Sequence, residues 1–310
     1  MKFLLTETVP EHFIKGLHLL GIEGEVQPTI NQSEVTNIIQ EYEGLLIRGR
    51  ITANKGLIQR GDRLKFILRP GSGLDIIDIA SAQEKGIHIL NSPEGNRDAV
   101  AEHAVGLLIS LFKQIPRSFD DIRQFKWSRK KLTGHEIMGK TIGIIGYGNT
   151  GSAFAQRLKG FGVHILAYDK YKSGFGDANL TEVSLEEIYM KADIVSFHIP
   201  YNEGNHYLVN KYYLSKFHKP IFLINTSRGR ILQTADLLSF IQDEKIKGAC
   251  LDVLENENFE SYTHSEKKQL EQLVLSGKVI LTPHIAGKTA ESEEKIYNYL
   301  LTKIKTYIEI

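Results

Sequence analysis

The sequence predicts an α/β protein built on parallel sheets, and three observations carry that expectation. Short apolar runs alternate with helical patterns along the whole chain, the rhythm of parallel strands joined by helical crossovers. One glycine turn stands between such a run and such a helix, in the order that a Rossmann-type unit requires. The length, 310 residues, exceeds one typical domain and suits two.

In the first hundred residues the predicted strands are 3–5, 44–47, 66–68 and 87–90, with helical patterns such as 11–20 and 34–41 between them. A long helical stretch is expected over 97–123. Its apolar face is Val100, Ala104, Leu107, Leu108, Leu111 and Phe112, and its only breaker residues are Gly106 and Pro116. Further strands are expected at 194–197, 221–225, 249–253 and 279–281. A Thr282-Pro283 break then leads to a last helix from 291 to about 307. The polar, charge-rich segment 255–268 reads as a surface loop.

The glycine turn is Gly146-Tyr147-Gly148-Asn149-Thr150-Gly151, after the run Ile142, Ile144, Ile145 and before Ala153-Phe154-Ala155. Gly146 permits the tight turn, Gly148 lets backbone approach a pyrophosphate, and Gly151 lets the helix pack close to the strand. Asn149 and Thr150 open the helix, whose positive dipole end then faces the phosphates. A second apolar strand, 163–168, ends in Asp169, 18 residues after Gly151, where a carboxylate can bond a ribose 2′-hydroxyl. Asp169 would repel a 2′-phosphate, which favours NAD over NADP; Lys170 beside it works in the other direction.

Hydrophobic content of 42% and charged content of 24% are those of an ordinary globular chain, and a net charge of +1 offers no case for nucleic-acid or membrane affinity. No run approaches the length of a membrane span. The apolar stretch after Met1 is too short for a signal peptide and reads as a first strand, so a cytoplasmic protein is expected. The one cysteine, Cys250, lies in the apolar run Ala249-Cys250-Leu251 and reads as a small core residue. No histidine and carboxylate cluster has the spacing of a metal site, so no metal is expected.

Several motifs now stand in order: Ile47-Arg48-Gly49-Arg50, Arg69-Pro70-Gly71-Ser72-Gly73-Leu74-Asp75, Asn91-Ser92-Pro93-Glu94-Gly95-Asn96 and Ala101-Glu102-His103. After the glycine turn come Asn225-Thr226-Ser227-Arg228-Gly229, Leu251-Asp252-Val253 and Thr282-Pro283-His284. Over nearly its whole length the chain resembles the D-2-hydroxyacid dehydrogenases. The resemblance implies two Rossmann-like doubly wound domains, with the nucleotide domain (98–282) inserted into a discontinuous substrate domain (1–97 and 283–310). It implies NAD as cofactor and a homodimer paired through the 97–123 helix.

The same chemistry can be argued from residue types. Oxidising a 2-hydroxy acid removes a hydride from the α-carbon and a proton from the hydroxyl. Histidine is the usual base for the proton, and guanidinium holds the carboxylate in a fixed fork. His284, Arg228 and Glu257 match the family's catalytic positions. His284 would be proton acceptor and donor, Glu257 its orienting carboxylate, and Arg228 the carboxylate clamp. Glu255 is the competing carboxylate; Glu257 is preferred because the family's acid lies five residues after the aspartate, here Asp252. The family usually has proline next, where this chain has Asn258. Val100, Pro200, Thr226, Ser227 and Asp252 match cofactor-lining positions. His103 reads as a packing or helix-pair residue, and Trp127 as a packing anchor near the interface.

For the substrate, Ser72 and Gly73 would offer backbone N–H groups to its carboxylate. Arg48 and Arg69 match positions that face the distal end of the substrate in phosphoglycerate dehydrogenases, and a pair of guanidinium groups suits a phosphate dianion. The preferred expectation is therefore oxidation of D-3-phosphoglycerate to 3-phosphohydroxypyruvate, in serine biosynthesis. The chain resembles a short form lacking a C-terminal regulatory domain, since it ends 26 residues after His284, and feedback control by serine through such a domain is not expected. The alternatives are a glyoxylate/hydroxypyruvate reductase or another D-2-hydroxyacid dehydrogenase and, more remotely, an NAD(H)-sensing co-repressor-type protein. That last class shares the core and the catalytic trio, but goes with disordered tails or basic runs that this sequence lacks.

Overall fold

The computed structural model describes residues 1–308. The chain forms two compact units, one made of Met1–Arg97 with the segment from Lys288 onward, the other of Asp98–Gly287. Each is a parallel sheet with helices packed on it. Residues 283–287, expected in the first unit, belong to the second because the backbone N–H groups of His284, Ile285 and Ala286 all donate to Asp252.

The first unit contains strands β1 (Lys2–Leu5), β2 (Glu23–Val26), β3 (Gly44–Leu46), β4 (Phe66–Arg69) and β5 (His88–Asn91). Their spatial order is β2-β1-β3-β4-β5, with every pairing parallel. A parallel sheet is covered on both faces, so its strands are apolar at successive positions. Phe3, Leu5, Leu46, Leu68 and Leu90 pack on one face, with Tyr297 and Leu300 of the helix Ala290–Ile308. Leu4, Leu45, Ile47 and Ile67 pack on the other.

The second unit contains β6 (Thr141–Ile145), β7 (His164–Tyr168), β8 (Leu180–Glu182), β9 (Ile194–Phe197), β10 (Ile221–Asn225), β11 (Ile246–Leu251) and β12 (Val279–Leu281). The order β12-β11-β10-β9-β6-β7-β8 reverses direction at β6, so a topological switch point lies beside it. Ile142, Ile144, Ile194, Ile224 and Cys250 fill one face of this sheet, and Ile145, Val195, Phe197, Leu223 and Leu251 the other.

Three local expectations need correction. Strands β2 and β8 carry no apolar run of the kind that marked the others, and pattern reading passed over them. The stretch 97–123 is two helices, Pro93–Phe112 and Ile115–Arg123, parted at Gln114, which adopts a left-handed φ of 52°. The break falls there and not at Gly106, which lies inside the first helix. Segment 255–268 is only partly loop: Thr263 caps the helix His264–Leu275 in a capping box with Glu266. Trp127, expected to anchor packing near an interface, is 85% exposed within the single chain.

His198, at the end of β9, is buried beside Phe154 and bonds Ser196 Oγ through Nε2 at 2.8 Å. Burial pushes its pKa down from 6.5 to about 3. The unfolded chain therefore takes up a proton between these values that the folded chain refuses, so stability is complete above the unfolded value and is lost as pH falls below it. At pH 5 this one group should cost about 2 kcal/mol relative to pH 7. Urea titrations at the two pH values check it: His198→Gln should flatten the acid slope, whatever it does to stability at pH 7. An unchanged slope would assign the acid loss to other groups.

Candidate active site

The glycine turn closes between β6 and the helix Asn149–Leu158, and each glycine meets a different constraint. Gly146 has φ +93°, and a Cβ there would lie 2.4 Å from the His198 carbonyl. A Cβ on Gly151 would stand 2.0 Å from the carbonyl of Gly146 itself, so helix and turn touch backbone to backbone. A Cβ on Gly148 would meet nothing within 4 Å. Only open space lies before Gly148, at the N-terminus of a helix whose first residues, Asn149 and Thr150, have no side-chain cap above them.

Asp169 follows β7. One carboxylate oxygen accepts the Tyr147 N–H at 2.7 Å, and the other accepts those of Tyr171 and Lys172 at 2.8 and 3.1 Å. These three donors fix the carboxylate against the turn, while each oxygen keeps acceptor capacity for a hydroxyl. Lys172 Nζ reaches the Tyr147 carbonyl at 3.5 Å. Thr226, after β10, is buried, and its Oγ1 has no hydrogen-bond partner among the described residues. Ser227 bonds the Phe197 carbonyl through its hydroxyl. Val100 is buried, and Pro200 is exposed with its carbonyl held by Asn205.

At the carboxyl ends of β10, β11 and β12 stand Arg228, Asp252 and His284. His284 Nδ1 lies 2.8 Å from Glu257 Oε2. Glu255 is turned elsewhere: it accepts the Tyr207 hydroxyl at 2.6 Å and the Thr234 N–H. Arg228 is held by its backbone, the carbonyl accepting from Asn225 Nδ2 at 3.0 Å, while Nη1 donates to the Ser227 carbonyl at 2.7 Å. His284 has φ +54°, an uncommon conformation for a side-chain-bearing residue.

Asp252 holds that conformation. Its carboxylate accepts from Thr282 Oγ1 (2.6 Å), Ile285 N (2.9 Å) and Ala286 N (2.8 Å), and its carbonyl accepts the His284 N–H at 2.8 Å. Burial raises its pKa, but the bonds from His103, Thr282, Ala286 and Ile285 lower it by more, so the group is held below the usual range. His103 Nε2 bonds Thr282 Oγ1 at 3.0 Å and stands 3.5 Å from Asp252. Sequence reasoning kept His103 for helix packing and gave Thr282 no role; Ala101-Glu102-His103 and Thr282-Pro283-His284 were the signals that could have joined them.

The four residues expected to hold substrate lie in the first unit. Gly71 has φ +127°, and a Cβ there would lie 3.3 Å from Arg69 Nη1, so the guanidinium rests against the turn that carries Ser72 and Gly73. Ser92 and Asn91 brace this turn, donating to or accepting from Gly71 and Ser72. Arg48 bonds Glu293 at 2.7 Å.

Residues 105–286 match the family model described as D-isomer specific 2-hydroxyacid dehydrogenase, NAD binding domain. The chain belongs to this family. NAD is the cofactor of this dehydrogenase, and its residues fit that group: the approach to Gly148 is open, the Asp169 carboxylate is oriented with acceptor capacity to spare, and the buried Thr226 hydroxyl has no partner among the described residues. The dehydrogenase is 34% identical over 275 residues to a hydroxypyruvate reductase of Thermotoga maritima, covering 89% of this chain and 88% of that one. It is 32% identical over 295 residues to a D-3-phosphoglycerate dehydrogenase of Archaeoglobus fulgidus, covering 94% of this chain but only 54% of that one. Its fold is similar to that of D-lactate dehydrogenase from Aquifex aeolicus solved with NAD and lactic acid, with a TM-score of 0.84 at 27% identity, covering 100% of this chain and 96% of that one. Among the described residues, no helix is long and apolar enough to cross a membrane.

Two glycines separate fold from cofactor affinity. Gly151→Ala should lower the melting temperature, because its Cβ meets backbone that cannot move aside. Gly148→Ala should leave melting unchanged yet weaken NADH binding by about tenfold or more, roughly 1.4 kcal/mol, as fluorescence titration would read. Full affinity in Gly148→Ala would take the turn out of the nucleotide site.

Proposed function

We propose that this dehydrogenase interconverts a D-2-hydroxy acid and its 2-keto acid, with His284 moving the proton. The observation that carries this reading is the 2.8 Å bond between His284 Nδ1 and Glu257 Oε2. NAD supplies the hydride acceptor in oxidation and, reduced, the hydride donor in the reverse direction. With Nδ1–H given to Glu257, the neutral ring offers a bare Nε2 to the substrate hydroxyl and accepts its proton. In reduction the protonated ring returns it, and the Glu257 carboxylate stabilises the imidazolium that precedes transfer. Arg228 binds the substrate carboxylate and carbonyl oxygen as a bidentate fork. The Ser72 and Gly73 amides of the first unit, with Arg69 against their turn, are donors suited to an acid group. Asp169 takes the ribose hydroxyls, which selects NAD over NADP.

For the substrate we favour hydroxypyruvate, without a phosphate. A phosphate dianion would draw on both Arg48 and Arg69, but Arg48 is already paired with the carboxylate of Glu293. The match to the Thermotoga hydroxypyruvate reductase, extending over 88% of its length, supports the same reading. The second reading, 3-phosphohydroxypyruvate, is supported by the Archaeoglobus relative, of which this chain spans about half. We also propose a homodimer. Ile115, Phe119 and Ile122 line one exposed face of the helix Ile115–Arg123, and the exposed Phe125 and Trp127 follow it. A second copy of the chain would bury this face.

Glu257→Gln, which takes the carboxylate from His284 Nδ1, should lower reductive kcat/KM on hydroxypyruvate about tenfold or more; an unchanged rate would release Glu257 from its role. Light scattering should give twice the 35.0 kDa of one chain, and Phe119→Glu should give a monomer. A monomeric wild type at micromolar concentration would end the dimer proposal.

A further inference from the structure

A second group of charges gathers at the carboxyl edge of the first unit's sheet. Strands β1, β3 and β4 are neighbours and end together, with Leu5 paired to Leu46 and Leu46 to Leu68. Glu7, Arg48 and Arg69 stand at or just beyond these ends. The helix Ala290–Ile308 adds Glu293 in its first turn and Tyr297 one turn later. That first turn is fixed by a reciprocal cap, in which the Thr289 N–H donates to Ser292 Oγ and the Ser292 N–H donates to Thr289 Oγ1, each at 3.0 Å.

Arg48 Nη2 donates to Glu293 Oε2 at 2.7 Å, with the side chains 33% and 41% exposed. Tyr297 is fully buried against Phe13, yet its hydroxyl has no hydrogen-bond partner among the described residues. The charges that act on that hydroxyl are Arg48, Glu293, Glu7 and Arg69. An unpartnered buried hydroxyl beside an ion pair at a sheet's carboxyl edge is where a polar ligand group can be received. Glu293 takes up the charge of Arg48 there, and Glu7 lies 3.8 Å from Arg50. A phosphate at Arg48 would have to break the bond to Glu293 and then lie beside its carboxylate. A neutral hydroxyl meets neither cost and can bond to Tyr297.

We propose that Glu293 sets the substrate class by holding Arg48, so that the site accepts a 2-keto acid with an uncharged hydroxymethyl end and rejects the corresponding phosphomonoester. Glu293 acts through Arg48 and is a positioning residue. The inference rests on the reading of the protein as a 2-keto acid reductase.

The test measures kcat and KM with NADH for hydroxypyruvate and 3-phosphohydroxypyruvate in the wild type, Glu293→Gln and Glu294→Gln. The wild type should prefer hydroxypyruvate at least about tenfold in kcat/KM. Glu293→Gln, which keeps the side chain's shape, should raise kcat/KM for the phosphorylated acid about tenfold, chiefly through KM. Glu294→Gln removes the same charge from the next residue and should leave the ratio alone. A ratio unmoved by Glu293→Gln, moved equally by Glu294→Gln, or favouring phosphate in the wild type overturns the proposal. A wild type that reduces neither acid overturns the reading of the function instead. In that event the shift in melting temperature given by 3-phosphoglycerate still decides about the pair: a larger shift in Glu293→Gln than in the wild type supports it, and an equal shift overturns it.

Discussion

The carboxyl edge of the second unit's sheet depends on one buried carboxylate. Asp252 is 1% exposed, and a charge at that depth is tolerated only if its lone pairs are filled. They are filled by Thr282, Ile285 and Ala286, which flank His284 on both sides. The desolvation cost and the shape of the loop are therefore one problem with one solution. Satisfying Asp252 bends the chain after β12 so that His284 adopts its left-handed backbone and its ring meets Glu257. His103, from the helix Pro93–Phe112, closes the same network through Thr282 and ties a helix to a strand end.

The sheet sets where such a network can form. In a parallel sheet every strand ends on the same edge, so loops that follow different strands meet there without further design. Arg228 follows β10, Asp252 follows β11 and His284 follows β12, and these three strands are neighbours. The glycine turn follows β6 and Asp169 follows β7, again side by side. Close packing supplies the precision: the 2.0 Å that a Cβ on Gly151 would have from the Gly146 carbonyl means that no other residue type lets the helix start there.

How much of this was legible in the sequence follows from the range over which each signal acts. The apolar strands and the glycine turn are written in consecutive residues, and apart from β11, which begins three residues before its expected start, they stand within a residue or two of their expected places. Strand β2, Glu-Gly-Glu-Val, lies at the sheet's edge with partly exposed side chains, so burial imposes no apolar pattern on it. The break at Gln114 has no proline or glycine at the position that turns, and Phe112 to Pro116 reads as a continuous helix. The choice between Glu255 and Glu257 is of another kind. Two carboxylates two residues apart differ only in what they face, and Tyr207 and Thr234, which take Glu255, are distant in sequence.

Charge at the first unit's edge shows the same limit most sharply. Arg48 and Arg69 are visible as arginines at strand ends, and arginines in pairs suggest phosphate. What a ligand meets, however, is the charge that remains after each guanidinium has found its partners. Glu293 stands far along the chain from Arg48, on a helix whose place in this unit comes from Tyr297 and Leu300 packing on the sheet's apolar face. The apolar stripe that docks the helix thus also decides which of its acidic residues reaches the sheet's edge. Hydrophobic packing thus fixes which charges meet at this edge, and a count of arginines before folding leaves out the carboxylate that pairs with one of them.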